Sequence, residues 1–412
     1  MAKIAFRRIL HPVGHGAFFT EQFWDERKNR YFNVVYDCGG IRNKTILEEE
    51  INSSFEENEH IDMLFISHFD DDHVNGLATL ANNGRRIDKD TKVYVPFSYP
   101  YLVVAMDEDY PEMSKFVTLA ARYNAQFIGI EESTDLDSEY RGFERFQGEY
   151  PNRSIVMREW QTIPIIIEGN GIPVWYYSPF MQDDEKCKED RKTFIESIED
   201  SFGEIDLHSY KDIQDNLVKL RKIYQRLNGK GDDVIVRDDE EKGISPRKTL
   251  GVTRININSL MLLSFPAHDV VRYVSCWQAY CNIPYLVFNK ILKMEEENLA
   301  INPSCLYTGD TKLSRGYYDS VLNAAIPILY NHSDIDVIGM MQVPHHGSRH
   351  CYTDSIATDK RVQTSFINFA PDTSRKPHLN NIYSDFHAEN KRLFLVTKDY
   401  QSRVTLEIKQ LL

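Results

Sequence analysis

Phe65-Ile66-Ser67-His68-Phe69-Asp70-Asp71-Asp72-His73-Val74-Asn75-Gly76 is the stretch from which the rest of the chain can be read. It continues the apolar run that starts at Met63 and sets two histidines and three aspartates within six positions. A short apolar strand of this kind delivers the polar residues at its C-terminal end to the rim of a sheet, where ligands bind in α/β folds. The pair Asn75-Gly76 then lets the chain turn tightly. The spacing His-x-Asp-x-Asp-His offers four ligands for divalent ions from one turn: His68, Asp70, Asp72 and His73. An acidic surface loop that happens to contain histidine would account for the aspartates. It would not account for the strand ahead of them or for the alternation of the ligands.

On the N-terminal side, residues 4–40 read as two strands of a hairpin. One opens at Val13-Gly14-His15-Gly16-Ala17-Phe18-Phe19, and the next, over 31–40, stops at Asp37 and the pair Gly39-Gly40. Residues 45–58 carry Ile46, Leu47, Ile51 and Phe55 at helical spacing. After the cluster, the pattern predicts a helix over about 74–83, a strand over 93–96, a helix over 111–124 and a strand over 125–130. A hairpin of 163–167 with 172–177 follows.

From Gln182 to Lys248 almost every other residue is charged or polar. Ile213, Leu217, Leu220, Tyr224 and Leu227 share one face of a helix over 208–228, a second helix is expected at 190–202, and 230–248 reads as a loop. The whole stretch is a charged helical insert whose polar residues read as a solvated face. Residues 256–263 return to strand. A second insert follows, aromatic around 273–285 and helical over 285–299. Strands at 306–310, 335–343, 364–369 and 393–396 make the closing half. This order predicts an α/β sandwich rather than a doubly wound sheet. Its core has a first half over 1–181, a strand in 250–264 and a second half over 302–412, with inserts at 182–249 and 265–301.

The length of 412 residues and an apolar share of 42% suit an elaborated globular α/β protein. No apolar stretch is long and uncharged enough to span a membrane, and the first residues lack the apolar core of a signal peptide. The six cysteines are scattered without a Cys-x-x-Cys pair, as expected of free thiols in a reducing cytoplasm. A net charge of −14 argues against wide electrostatic binding to nucleic acid, while leaving room for a local basic groove.

Three further polar groups end apolar strands: Asp37, Asp310 in Thr308-Gly309-Asp310, and the pair in Pro344-His345-His346-Gly347-Ser348. Adjacent histidines before a Gly-Ser turn rarely serve a core. His378, in Lys376-Pro377-His378-Leu379, is expected in a loop between two strands. In this order the motifs resemble those of the metallo-β-lactamase superfamily. More narrowly, they resemble the hydrolase domain of ComEC-type competence proteins and their stand-alone relatives, where the second position of the first motif is Asp, as Asp70 is here. Val13-Gly14-His15-Gly16 resembles that branch's Val-Gly-Gln-Gly turn, and Tyr36-Asp37-Cys38-Gly39-Gly40 its Asp-x-Gly strand end. The likeness covers about 1–180, 250–264 and 302–405.

The resemblance implies an αββα four-layer sandwich with two helical insertions, and a site for two divalent ions, Zn2+ or Mn2+. His68 and Asp70 would bind the first ion, and Asp72 and His73 the second. Asp310 would lie between them, and His345 would complete the second site. Asp37 would stand behind the ligands, and His346 and His378 would face the substrate. The carboxylate of Asp70 hardens the first site and brings Mn2+ into competition with Zn2+. Two cations held together can clamp the attacking and leaving oxygens of a phosphodiester. Asp72, His346 and His378 are then the catalytic candidates, with either histidine as general acid. Ser348, Arg349, Arg375 and Lys376 lie beside them in sequence as candidate phosphate contacts.

The activity expected is metal-dependent hydrolysis of phosphodiesters, as a nuclease acting on nucleic acid or nucleotides. One alternative is a hydrolase of a small ester, lactone or nucleotide, with the charged insert as a lid. Another is a metal-stabilised binding component of a larger assembly, one acting in defence included, docked to a protein partner through Trp277, Tyr280, Tyr285 and Phe288.

Overall fold

The computed structural model describes residues 5–40, 44–96, 100–131, 155–167, 171–181, 196–201, 203, 205–227, 259–268, 278–281, 284–287, 290–293, 301–369 and 376–408. Three antiparallel strands open the chain: β1 (Phe6–Leu10), β2 (Phe18–Asp25) and β3 (Arg30–Cys38). From β3 the sheet continues in parallel through β4 (Met63–Phe65), β5 (Lys92–Val95), β6 (Gln126–Glu131) and β7 (Ile155–Arg158). A late strand, β18 (Val404–Ile408), returns to the free side of β1, with β11 (Gln278–Cys281) outside it. The nine-stranded order is β11-β18-β1-β2-β3-β4-β5-β6-β7.

The second sheet has seven strands. β8 (Ile163–Ile165), β9 (Trp175–Met181) and β10 (Leu260–Pro266) are antiparallel, and β10 pairs antiparallel with β14 (Cys305–Tyr307). From β14 the sheet runs parallel through β15 (Ile338–Gln342), β16 (Val362–Asn368) and β17 (Arg392–Val396).

The strands read as unbroken apolar runs because both faces are covered. In β4, Met63 and Phe65 point between the sheets, while Leu64 points outward. In β14, Cys305 and Tyr307 point inward and Leu306 outward. The inward set includes Phe6, Phe19, Tyr36, Trp175, Leu262, Met340 and Phe366, from both sheets. Outside the first sheet lie α1 (Lys44–Ser54), α2 (Asp71–Val74), α3 (Leu77–Leu80), α4 (Pro111–Arg122) and α5 (Tyr210–Leu227). Outside the second lie α6 (Arg315–Ser333), α7 (Ser355–Thr358) and α8 (Lys376–Ala388). The layers are therefore helix, sheet, sheet, helix: an αββα sandwich, as expected.

One polar network crosses the apolar interior. Arg8 Nε donates to Glu21 Oε1 at 2.7 Å, and Glu21 also accepts from the hydroxyls of Tyr177, Ser264 and Tyr307. Those three hydroxyls belong to the second sheet and Glu21 to the first, so the network ties the two together.

The charged insert contributes an apolar face as read. Ile213, Leu220, Ile223 and Tyr224 of α5 join the core outside the first sheet, and Arg221 Nη2 reaches Asp107 Oδ2 at 2.7 Å. Residues 196–201 include helix, and the loop expected at 230–248 lies outside the described residues.

Several expectations change. The first hairpin is three strands rather than two, because residues 11–17 form a turn and β2 starts at Phe18. The helix expected over 74–83 is broken into α2, α3 and a 3-10 turn at Asn82–Gly84. Asn75 causes part of this, since its amide pairs with both the N–H and the C=O of Gly40. Within the helix expected over 285–299, the described residues instead form a hairpin, β12 (Pro284–Val287) with β13 (Lys290–Lys293), and 294–299 lie outside the described residues. The Tyr285-Leu286-Val287 and Ile291-Leu292 runs pair as strands. The strand expected at 256–263 is Leu260–Pro266. His378 lies in the first turn of α8 and not in a loop. Among the described residues, no helix is long and apolar enough to cross a membrane.

Candidate metal centre

The strand-end motifs meet at one edge. Asp37 is on β3, Ser67 and His68 follow β4, Asp310 follows β14, and His345-His346 follow β15. These strands run parallel within each sheet, so their C-terminal ends share the edge where ligands bind in such folds. The chain then has to fold sharply. Asp37, Gly309, His345, His346 and Gly347 all have φ between 48° and 71°, a region that costs side-chain-bearing residues energy and recurs at functional sites. Gly39 allows a close approach: a Cβ there would stand 2.4 Å from the backbone joining Asp72 to His73. Behind Asp310, Gln342 Oε1 accepts from the N–H groups of Thr308 and Gly309, and Ser259 Oγ accepts from Asp310 N–H.

The hydrogen bonds assign the tautomers. The wholly buried Asp37 carboxylate accepts from Ser67 N at 2.6 Å, Ser67 Oγ at 2.6 Å and His73 Nδ1 at 2.7 Å. With its proton directed to Asp37, Ser67 Oγ is the acceptor for His68 Nδ1 at 2.9 Å. His346 Nδ1 donates to Asn368 O at 3.0 Å. In all three histidines Nδ1 is held from behind and Nε2 faces the same space.

Within that space the separations are short. His73 Nε2 is 3.3 Å and His346 Nε2 3.8 Å from Asp310 Oδ1, while His345 Nε2 is 3.4 Å and His68 Nε2 3.8 Å from Asp310 Oδ2. His346 Nε2 is 3.2 Å from Asp72 Oδ2. Asp70 Oδ2 is 3.8 Å from His68 Nε2, at the rim, with 39% of its side chain exposed. His345 is also nearer solvent, at 25%, and its Nδ1 lies 3.2 Å from Cys351 Sγ.

Electrostatics follow burial and charge. Burial pushes His68 down to about 4, with His73 reinforcing it, so its imidazole is neutral. Burial works against charge on His73, yet Asp310 and Asp37 override it and hold its pKa well above the ordinary value. Burial alone would raise Asp310 and Asp72, but the facing histidines carry both well below the usual carboxylate range.

Four buried atoms here have no hydrogen-bond partner: His68 Nε2, His73 Nε2, His346 Nε2 and Asp310 Oδ1. Left so, each would cost about 1–3 kcal/mol. A divalent cation satisfies imidazole nitrogens and carboxylate oxygens together, and a histidine held through Nδ1 is how proteins orient such ligands. The residues fit the metal that the sequence motifs imply. Two compact groups stand out, His68 with His73 and Asp310, and His15 with Asp72 and His346.

His68, Asp72, His73, Asp310, His345 and His346 are thus brought together, with Asp70 at the edge. Ser348 is half-buried, and Arg349 is exposed with its Nε donating to His350 Nε2. Arg375 lies outside the described residues, as do the side chains of Lys376 and His378 and those of the aromatic insert. Cys38 and Cys305 are buried within the apolar core. The residue that sequence reasoning passed over is His15. Its only signal was a histidine between two glycines.

No family model matches the chain, and no curated protein matches it. Among solved structures it is similar to the long form of RNase Z from yeast, at 10% identity and a TM-score of 0.33, over 89% of this chain and 38% of that one. It is similar to the FEZ-1 metallo-β-lactamase from Legionella gormanii at 12% identity and a TM-score of 0.20, over 42% and 51%. For the GOB-18 metallo-β-lactamase from Elizabethkingia meningoseptica the values are 12% and 0.21, over 54% and 93%. The chain therefore spans less than half the length of the yeast structure to which it is similar.

Proposed function

We propose that the chain is a metal-dependent hydrolase of phosphodiesters of the metallo-β-lactamase type, acting as a nuclease. The observation that carries this reading is the convergence of three Nε2 atoms and one Asp310 oxygen, all buried and unpartnered, beside Asp72. In place of the pairing of Asp72 with His73 expected from the motifs, His68, His73 and Asp310 would hold one divalent ion, Zn2+ or Mn2+, with Asp70 beside it. Asp72 and His346 would hold a second. Such ions supply Lewis acidity to phosphoryl oxygens.

The chain's own groups do the rest. Asp37 fixes the His73 ring and, through Ser67, the His68 ring. His346 is turned inward from Asn368, while His345 stands at the rim, which suits His346 to binding and His345 to holding a proton for the leaving oxygen. Arg349, exposed beyond the Gly347-Ser348 turn, is the cation offered to a phosphate. The substrate class rests on the motif order and on this pairing of sites.

Metal analysis of the purified chain, joined to Mn2+ and Zn2+ assays on DNA, RNA, cyclic nucleotides and acyl lactones, tests the reading. Phosphodiester turnover is expected in the wild type and is lost in Asp72→Ala with folding retained. Full activity in that variant, or turnover of lactones alone, would sink it.

A further inference from the structure

The turn ahead of β2 reaches the same centre from a different part of the chain. His15 Nε2 is 3.5 Å from Asp72 Oδ2, the oxygen that His346 Nε2 approaches to 3.2 Å. The two imidazole rings lie 4.2 Å apart between centroids, and the three ligand atoms of His15, Asp72 and His346 fall within 4.8 Å of one another. The backbone is fitted to this arrangement. Ala17 N–H donates to the Asp72 carbonyl at 3.1 Å, and a Cβ on Gly16 would stand 2.9 Å from that same oxygen. The turn thus grips the backbone of the residue whose carboxylate its histidine faces. His346 supplies an independent sign of a ligand: it is buried, its Nδ1 is engaged by Asn368, and its Nε2 is aimed here without a hydrogen-bond partner.

We propose that His15 is a third protein ligand of the second cation, completing a site with Asp72 and His346, while His68, His73 and Asp310 make the first. The assignment rests on the reading of this edge as a metal centre. Two imidazoles and one carboxylate suit Zn2+ or Mn2+, and three protein ligands leave a position open for substrate or water. The second ion would also tie the N-terminal turn to the end of β15, one sheet to the other.

Calorimetric titration of the metal-free full chain with Co2+, followed by visible absorption, separates the two sites. The wild type is expected to take up two ions. His15→Phe keeps a ring against His346 and removes the donor. It should weaken one ion by about a hundredfold or more, remove that ion's absorption bands, and change the other ion's affinity by far less. His68→Ala should weaken the other ion instead. Two ions of unchanged affinity in His15→Phe overturn the role of His15 while the metal centre stands. A wild type that takes up none overturns both. His15→Gln, with a smaller polar side chain, serves if the phenylalanine variant does not give a cooperative melt by circular dichroism.

Discussion

The Asp37 carboxylate accepts from His73 Nδ1 at 2.7 Å, with both side chains wholly buried, Asp37 near the end of β3 and His73 in α2. Asp37 also holds Ser67, and Ser67 holds His68, so one carboxylate orients two candidate ligands. Asp37→Asn would turn either an amide N–H toward His73 or lose the bond from Ser67, because an amide cannot accept at both oxygens' positions. We expect metal affinity to fall about 10–100-fold, measured by calorimetric titration, with the far-ultraviolet circular dichroism unchanged. Wild-type affinity in the variant would detach Asp37 from the centre.

Gly39 is where the sheet lets α2 come close. A methyl group there would stand 2.4 Å from the Asp72 carbonyl carbon and from His73 N, both backbone atoms. Gly39→Ala should destabilise the fold by about 1–3 kcal/mol and displace Asp72 and His73. Urea unfolding and metal uptake measured together should both decline. A stable variant with undiminished uptake would show that the backbone yields without cost.

Glu21 joins the two sheets through Arg8, Tyr177, Ser264 and Tyr307. Removing its carboxylate leaves a buried guanidinium with no counter-charge on that side. Glu21→Ala should therefore cost about 3–5 kcal/mol, read from the urea midpoint. Replacing the pair together, as Arg8→Met with Glu21→Leu, should cost less than Glu21→Ala alone.

His60 sits away from the centre, with Nδ1 3.4 Å from Asp62 and Nε2 2.9 Å from Asp88. Burial works against its charge, but the two carboxylates raise its pKa above the ordinary 6.5. A raised histidine pKa stabilises the fold fully below 6.5, and that contribution is lost as pH rises through the folded value. The stability difference between the wild type and His60→Ala should thus be largest at acid pH and shrink above neutrality. Urea melts at a series of pH values would show it, and a difference that grows with pH would contradict it.

The four-layer plan and most of the centre were legible because their signals are local. The strand Met63–Phe65 is short, but it is followed at once by ligands at alternating positions, and Asp310 and the His345-His346 pair also end apolar strands. His15 was not legible, because its place depends on the Ala17 bond to Asp72 and on the Gly16 contact, neither of which has a local trace. Tyr285–Leu299 reads as helix although β12 and β13 pair as a hairpin, because its apolar residues fit either period. β18 did leave a trace: Val404, Leu406 and Ile408 alternate inward with Thr405 and Glu407. Its partner lies almost the whole chain away, and no local pattern names a partner.

That pairing has a consequence for how the protein is made. β1 lies between β2 and β18, in register from Phe6 opposite Ile408 to Leu10 opposite Val404. On a ribosome adding about 5–20 residues per second, β1 emerges tens of seconds before the strand that covers it. Throughout that interval one side of a nearly complete first sheet is an open edge, the kind of surface that captures other chains. Arg7, whose partner Glu407 belongs to β18, keeps a positive charge on that strand while it waits. The vulnerable species is therefore the nascent chain in which β18 has not yet been made, and slow translation of the stretch between β1 and β18 would lengthen its exposure.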